Sequence, residues 1–115
     1  MSDAEWLTVP DFADALGITA SQVRELLRVG ALASARRGER TTVQIPAGFI
    51  VEVDGEPTIL GTLKGTLTLL RDAQMDDETA IAWLMTHEPE LGMTPLASLR
   101  LGQRAHVRRL AQALL

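Results

Sequence analysis

Three arginines, Arg36, Arg37 and Arg40, crowd around Gly38 in the stretch SARRGERTTVQI of a 115-residue chain whose formal net charge is −4. Guanidinium groups so placed can neutralise phosphates and release the counterions condensed around them. Arg24 and Arg28 precede them, so residues 19–45 carry five arginines against Glu25 and Glu39, a local charge of +3. Residues 46–99 sum to −7, and the tail returns +4 through Arg100, Arg104, Arg108 and Arg109. Such asymmetry points to an anionic partner for the middle segment more directly than the acidic total does.

Other chemistry finds little support. The chain has no cysteine, and His87 and His106 stand apart with no H-x-x-H spacing, so no metal site is expected. Asp76, Asp77 and Glu78 cluster where a helix would begin, a position that attracts acids through the helix dipole alone. GTLKGT, residues 61–66, lacks the spacing of a phosphate-binding P-loop. These features argue against an enzyme, and no cofactor is expected. MSDAEWLTVP has neither the basic nor the apolar region of a signal peptide, and no apolar run is long enough to span a membrane. The expected setting is the cytoplasm, at the nucleoid.

The elements that must position the arginines follow from local pattern. LTVPDFADALGI reads as a short helix with Thr8 as N-cap, Pro10 in the first turn, an apolar face of Val9, Phe12, Ala13 and Leu16, and Gly17 as terminator. Thr19 then caps a second helix, ASQVRELLRVG, with Val23, Leu26 and Leu27 inward and Ser21, Gln22, Arg24, Glu25 and Arg28 outward. Helix, glycine turn and capped second helix make helix-turn-helix spacing. Beyond Gly30 the period changes to two, predicting a hairpin with roughly 33–37 paired to 40–45 around Gly38 and ended by Pro46. FIVEV and DGEP, within 47–59, read either as a strand and a turn or as a half-turn of helix and a loop. Helical spacing returns near Leu60, with Leu63, Leu67 and Leu70 on one face. Asp76 or Asp77 and then Thr94 cap further helices, and a last helix covers QRAHVRRLAQALL.

In a helix-turn-helix the N-terminal residues of the second helix meet base edges in the major groove. Here those are Ala20, Ser21, Gln22 and Arg24, with Arg28 one turn on, and the capping Thr19 is counted among the DNA-binding candidates. Gln pairs with adenine and Arg with guanine through bidentate hydrogen bonds. The hairpin would be a wing that carries Arg36, Arg37 and Arg40 to phosphates or an adjacent minor groove, with Thr41 and Thr42 as hydroxyl donors. Against this, Glu25 or Glu39 could pair with any of the arginines, leaving a merely solvated face.

LTVPDFADALGITASQVRELLRVGALASARRG resembles the first half of MerR-type and excisionase-like winged helix-turn-helix proteins. The remainder, GTLKGTLTLLRDAQMDDETAIAWLMTHEPELGMTPLASLRLGQRAHVRRLAQALL, is similar to the C-terminal region of a small actinobacterial family of winged-helix DNA-binding proteins. That resemblance implies DNA binding through Ser21, Gln22, Arg24, Arg28, Arg36, Arg37 and Arg40. Mycobacterial members are linked to serine/threonine kinase signalling. That link carries over weakly, because the chain starts almost at the domain and offers only Ser2 and Thr8 as acceptors. AIAWLMTHEPELGMTPLASLRLG is also similar to the C-terminal domain of some toxin-neutralising antitoxins, whose helices bind a partner protein.

The expected fold is therefore mainly α with a small β-hairpin wing: a winged helix-turn-helix over 5–46, a connector over 47–59 and a helical C-terminal domain over 60–115. The expected function is non-enzymatic binding of double-stranded DNA in transcriptional regulation or nucleoid organisation, with a homodimer formed through the C-terminal helices around Trp83, Met85 and LAQALL. The competing class is a protein-interaction adaptor or antitoxin-like module. The tail arginines are expected either to extend the DNA footprint or only to solvate the last helix.

Overall fold

The computed structural model describes residues 5–115. Its first strand, β1 (Trp6–Thr8), runs directly into α1 (Val9–Leu16). Thr8 has the extended backbone of an N-cap, and its hydroxyl accepts from the Asp11 N–H at 3.3 Å. The sequence pattern places the helix correctly but does not expose β1, which has three residues and too short an alternation to register. Gly17 closes α1 in the left-handed conformation (φ 74°), and the Ile18 N–H reaches back to the Ala13 carbonyl at 3.0 Å.

α2 (Ala20–Arg28) follows after that three-residue turn. It starts with a full capping box. The Thr19 hydroxyl accepts from the Gln22 N–H at 3.1 Å, and the Gln22 side-chain carbonyl accepts from the Thr19 N–H at 2.9 Å. Thr19→Ala removes half of this reciprocal pair and should destabilise the protein by about 1 kcal/mol. The check is a urea midpoint that shifts with the slope unchanged.

The wing is shorter than its sequence suggests. β2 (Ala35–Arg37) pairs antiparallel with β3 (Thr42–Pro46), and β1 adds to the other edge of β3, giving the order β1-β3-β2. Residues 38–41 are all turn, with Gly38 at φ 81° and Thr41 at φ 49°. Thr41 is therefore outside the ladder, and Ala33, fully buried, precedes it. The predicted 33–37/40–45 pairing is corrected to 35–37/42–46, because a four-residue connection consumes two positions that alternation had assigned to strands.

After a 3-10 turn at Ala47–Phe49, β4 (Ile50–Val53) and β5 (Glu56–Ile59) form a second hairpin. Asp54 and Gly55 both take positive φ, the geometry of the two-residue turn that Asp-Gly favours. Of the two readings open for 47–59, strand and turn is the one the molecule adopts.

α3 (Leu63–Asp72), α4 (Asp77–Leu84), α5 (Pro95–Arg100) and α6 (Arg104–Gln112) complete a mainly helical fold with a small wing. Asp76 and Thr94 cap α4 and α5 through the Thr79 and Ala97 N–H groups, at 2.8 and 3.0 Å. Phe12, Val23, Leu32, Ile45 and Phe49 share one buried cluster with Leu63, Leu67, Leu70, Leu84, Leu96 and Val107. Trp83 and Met85 are partly buried against it.

Two arginines tie the halves of the chain by their backbones. Arg71, on α3, donates to the carbonyls of Gly30 (2.8 Å) and Leu32 (3.3 Å) while pairing with Asp77 at 3.0 Å. Arg100, at the end of α5, donates to the carbonyls of Gly48 and Ile50. Arg100 thus ties helix to hairpin, although the residue itself stays exposed.

Candidate nucleic-acid interface

α2 meets the wing along an open groove of about 500 Å³ lined by Pro10, Arg24, Leu27, Ser34, Thr42 and Val43. Helical spacing explains one side. Ala20, Arg24 and Leu27 fall on one stripe, so Val23 enters the core while Arg24 looks across at β3. Strand spacing explains the other. Arg36 is the cross-strand partner of Val43, so both lie on the sheet face that also carries the buried Ile45. Arg36 is exposed, and among the described residues its guanidinium hydrogen-bonds only to the Thr41 carbonyl, at 3.5 Å.

Arg37 goes the other way. It is paired with Thr42, on the sheet face that also carries Trp6, and its guanidinium carbon lies 4.1 Å from the centre of the Trp6 ring. A cation held over an indole face is a stabilising contact in its own right. The two adjacent arginines therefore serve opposite faces of one ribbon. Arg40 stands in the turn itself, exposed, and Thr41 beside it turns its hydroxyl back to the Arg40 carbonyl at 2.7 Å.

On α2 the five expected readers divide. Ser21 and Arg24 are exposed, and neither makes a side-chain hydrogen bond or ion pair among the described residues. Thr19 and Gln22 are committed to the capping box. With its carbonyl oxygen occupied, Gln22 keeps only its N–H₂ free, so the acceptor-plus-donor pairing with adenine requires the cap to open. Arg28 is engaged by Glu25 through two hydrogen bonds, one of 2.9 Å from Nε, although both side chains are more than half exposed. The Arg28 guanidinium holds the Glu25 carboxyl below its ordinary range, and Glu25 in turn raises Arg28. The pair is intact at neutral pH. Glu39, the other acid in the segment, pairs with no arginine among the described residues.

Arg24, Arg36, Arg37 and Arg40 therefore have no ion pair among the described residues; Arg24 lines the groove between α2 and the wing, and Arg36 and Arg40 are exposed on the wing. Trp6 is the residue that pattern reading misses here. Its role depends on β1 pairing with β3, which three residues do not announce.

Of the acceptors considered for a kinase, Ser2 lies outside the described residues, and the Thr8 hydroxyl is occupied in capping α1. Among the described residues no helix is long and apolar enough to cross a membrane.

Two helices at a tight turn, the second facing a β-ribbon across an arginine-bordered groove, define the winged helix-turn-helix class. A family profile described as the winged helix-turn-helix domain of DNA-binding protein Rv2175c matches residues 1–50, and the profile of the Rv2175c C-terminal domain of unknown function matches residues 60–115. DNA-binding protein Rv2175c of Mycobacterium tuberculosis is 32% identical over 118 residues, spanning 92% of this chain and 77% of that protein. The NMR structure of Rv2175c superposes with a TM-score of 0.78 at 31% identity, over 96% of this chain and 80% of the other. The chain belongs to the Rv2175c family.

Proposed function

We propose that this protein binds double-stranded DNA, with the N-terminal turn of α2 in the major groove and Arg24, Arg36 and Arg40 on the flanking phosphates. One observation carries the reading: Arg24 of α2 lines the groove against the wing, and Arg36 and Arg40 of the wing are exposed, all three free of ion pairs among the described residues. The family's description as DNA-binding supports it. Ser21 and the α2 N-terminus approach the backbone closely, and Gln22 offers one donor to a base edge. Arg37, on the far face with Trp6, stiffens the ribbon that presents the others.

One such module reads a single half-site, so a regulator of transcription or an organiser of the nucleoid would gain specificity from pairing two copies. Leu101, Leu114 and Leu115, exposed at the C-terminal end, are where a second copy would gain apolar burial.

The test is retardation of a duplex as salt is raised. Affinity for unrelated duplex DNA should fall steeply with salt, with a slope set by the number of phosphates neutralised. A mobility unchanged at low salt would leave the adaptor reading in its place. Glu25 supplies a second prediction of opposite sign. Glu25→Gln removes a negative charge from the DNA-facing side of α2 and releases Arg28, so duplex affinity should rise by about threefold at low salt. Fluorescence anisotropy on a labelled duplex resolves that change, and a decrease would place α2 away from the phosphates.

A further inference from the structure

A second concavity lies outside the winged region, between α3 and α6. It has a volume of about 620 Å³, and Gly61, Thr62, Gly65, Thr68, Arg104 and Arg108 contribute to its lining. We propose that this cleft binds an organic phosphate of nucleotide size.

Arg104 and Arg108, four residues apart, project from one face of α6, and neither has an acidic partner among the described residues. No carboxylate lines the cleft, although residues 46–99 carry a net charge of −7. Two cations facing a wall of the acidic 46–99 stretch and yet kept free of acids select for a dianion, and guanidinium groups match phosphate oxygens in bidentate geometry.

The floor carries an independent signal. The Thr62 hydroxyl oxygen is buried and is the one buried side-chain polar atom without a hydrogen-bond partner among the described residues. Thr8, Thr19 and Thr94 precede their helices in extended conformation and bond back to the first turn, whereas Thr62 has ψ −2° and makes no cap bond. A buried hydroxyl left unmatched is costly unless something meets it. The first turn of α3, the positive end of its dipole, opens onto the same space.

Size and shape select the organic part. A cleft of this volume is in the range of small-molecule sites and far larger than inorganic phosphate needs. Gly65 sits inside α3 where a Cβ would meet nothing within 4 Å, so the wall is open there, and Leu69 and Ala105 supply apolar surface for a flat ring. A duplex is a poorer occupant. It presents its phosphates on a convex rod, and the Thr62 hydroxyl lies below the surface such a rod touches.

The experiment titrates the full chain with adenosine 5′-monophosphate, following amide shifts by NMR and heat by calorimetry. The expected result is saturable one-to-one binding, with shifts centred on Thr62, Gly65, Thr68 and Arg104. The double variant Arg104→Gln/Arg108→Gln should bind at least about tenfold more weakly, two charge-assisted contacts being lost, while retarding duplex DNA as the parent does. Thr62→Val, which preserves shape, should also weaken binding and reports on the site if the double variant folds poorly. Absence of saturable shifts overturns the proposal, and so do shifts confined to α2 and the wing. Inorganic phosphate binding as tightly as the nucleotide would refute the claim of an organic ligand. Loss of duplex retardation in the double variant would assign these arginines to DNA instead. The wing-dependent retardation is a separate readout, so failure of DNA binding and failure of this site are distinguishable.

Discussion

Replacing Arg24, Arg36 and Arg40 together by alanine should lower duplex DNA affinity by about a hundredfold or more near 0.1 M salt and make the logarithmic salt dependence shallower by about 3. The reasoning is electrostatic. Each arginine that neutralises a phosphate releases close to one condensed cation, so both affinity and slope track the number of contacts removed. The three side chains are free of ion pairs among the described residues, and Arg36 and Arg40 are exposed at the wing tip. Their removal leaves no buried partner uncompensated, and the fold should persist. The affinity change then reads binding alone. Arg37→Ala is the internal control. Its guanidinium is over Trp6 on the opposite face of the ribbon, so its loss should weaken binding by no more than about threefold, with the slope nearly unchanged. Equal losses for Arg37→Ala and Arg36→Ala in anisotropy titrations would mean that the duplex touches both faces of the wing.

That contrast between neighbours shows where sequence reading succeeds and where it stops. Features set within three or four residues are legible. Thr8, Thr19, Asp76 and Thr94 all cap the helices they precede, and each bond spans three positions. Gly17 and Gly38 take the positive φ their turns require. The glycine-centred arginine cluster is visible as a cluster. Its division between two faces is not, because facing depends on register, and register depends on how many residues the turn consumes. β1 is hidden for a related reason: Trp6, Leu7 and Thr8 become a strand only by pairing with Pro46, Ile45 and Gln44, far along the chain. Long-range ties are hidden altogether. Arg71 and Arg100 look like ordinary surface charge until their carbonyl partners, some 40 and 50 residues away, are known. The candidate readers on α2 are identifiable by position, but partners three residues away compete for them. Glu25 for Arg28, and the cap itself for Gln22, change what those residues have left to offer.

Arg71 ties the loop after α2 to the C-terminal helices. Arg71→Met, which keeps the apolar stem and removes the guanidinium, should destabilise the protein by about 2–4 kcal/mol. For a chain of this size that is a fall in thermal midpoint of roughly 10–20 °C. Three acceptors lose their donor at once: the carbonyls of Gly30 and Leu32 and the carboxylate of Asp77. The side chain is 29% exposed and Asp77 39%, so the ion pair itself is partly screened and the carbonyl bonds carry most of the effect. Gly30, two residues past the end of α2, takes φ 81°, and a Cβ there would lie 3.0 Å from the Arg71 guanidinium. The glycine thus permits both the left-handed turn and the close approach of the arginine. Arg71→Lys should recover little, since one ammonium cannot reproduce a fork that spans two carbonyls and a carboxylate. The contrast with Arg28→Met is diagnostic. Arg28 makes two hydrogen bonds to Glu25 in solvent and should leave the thermal midpoint nearly unchanged, because an exposed pair gains little over its hydrated state. Calorimetric scans of the three variants separate the cases. Arg71→Met melting with the parent would mean that α2 and the C-terminal helices keep their relation without the tie, and that the packing of Leu32 against the core suffices to hold it.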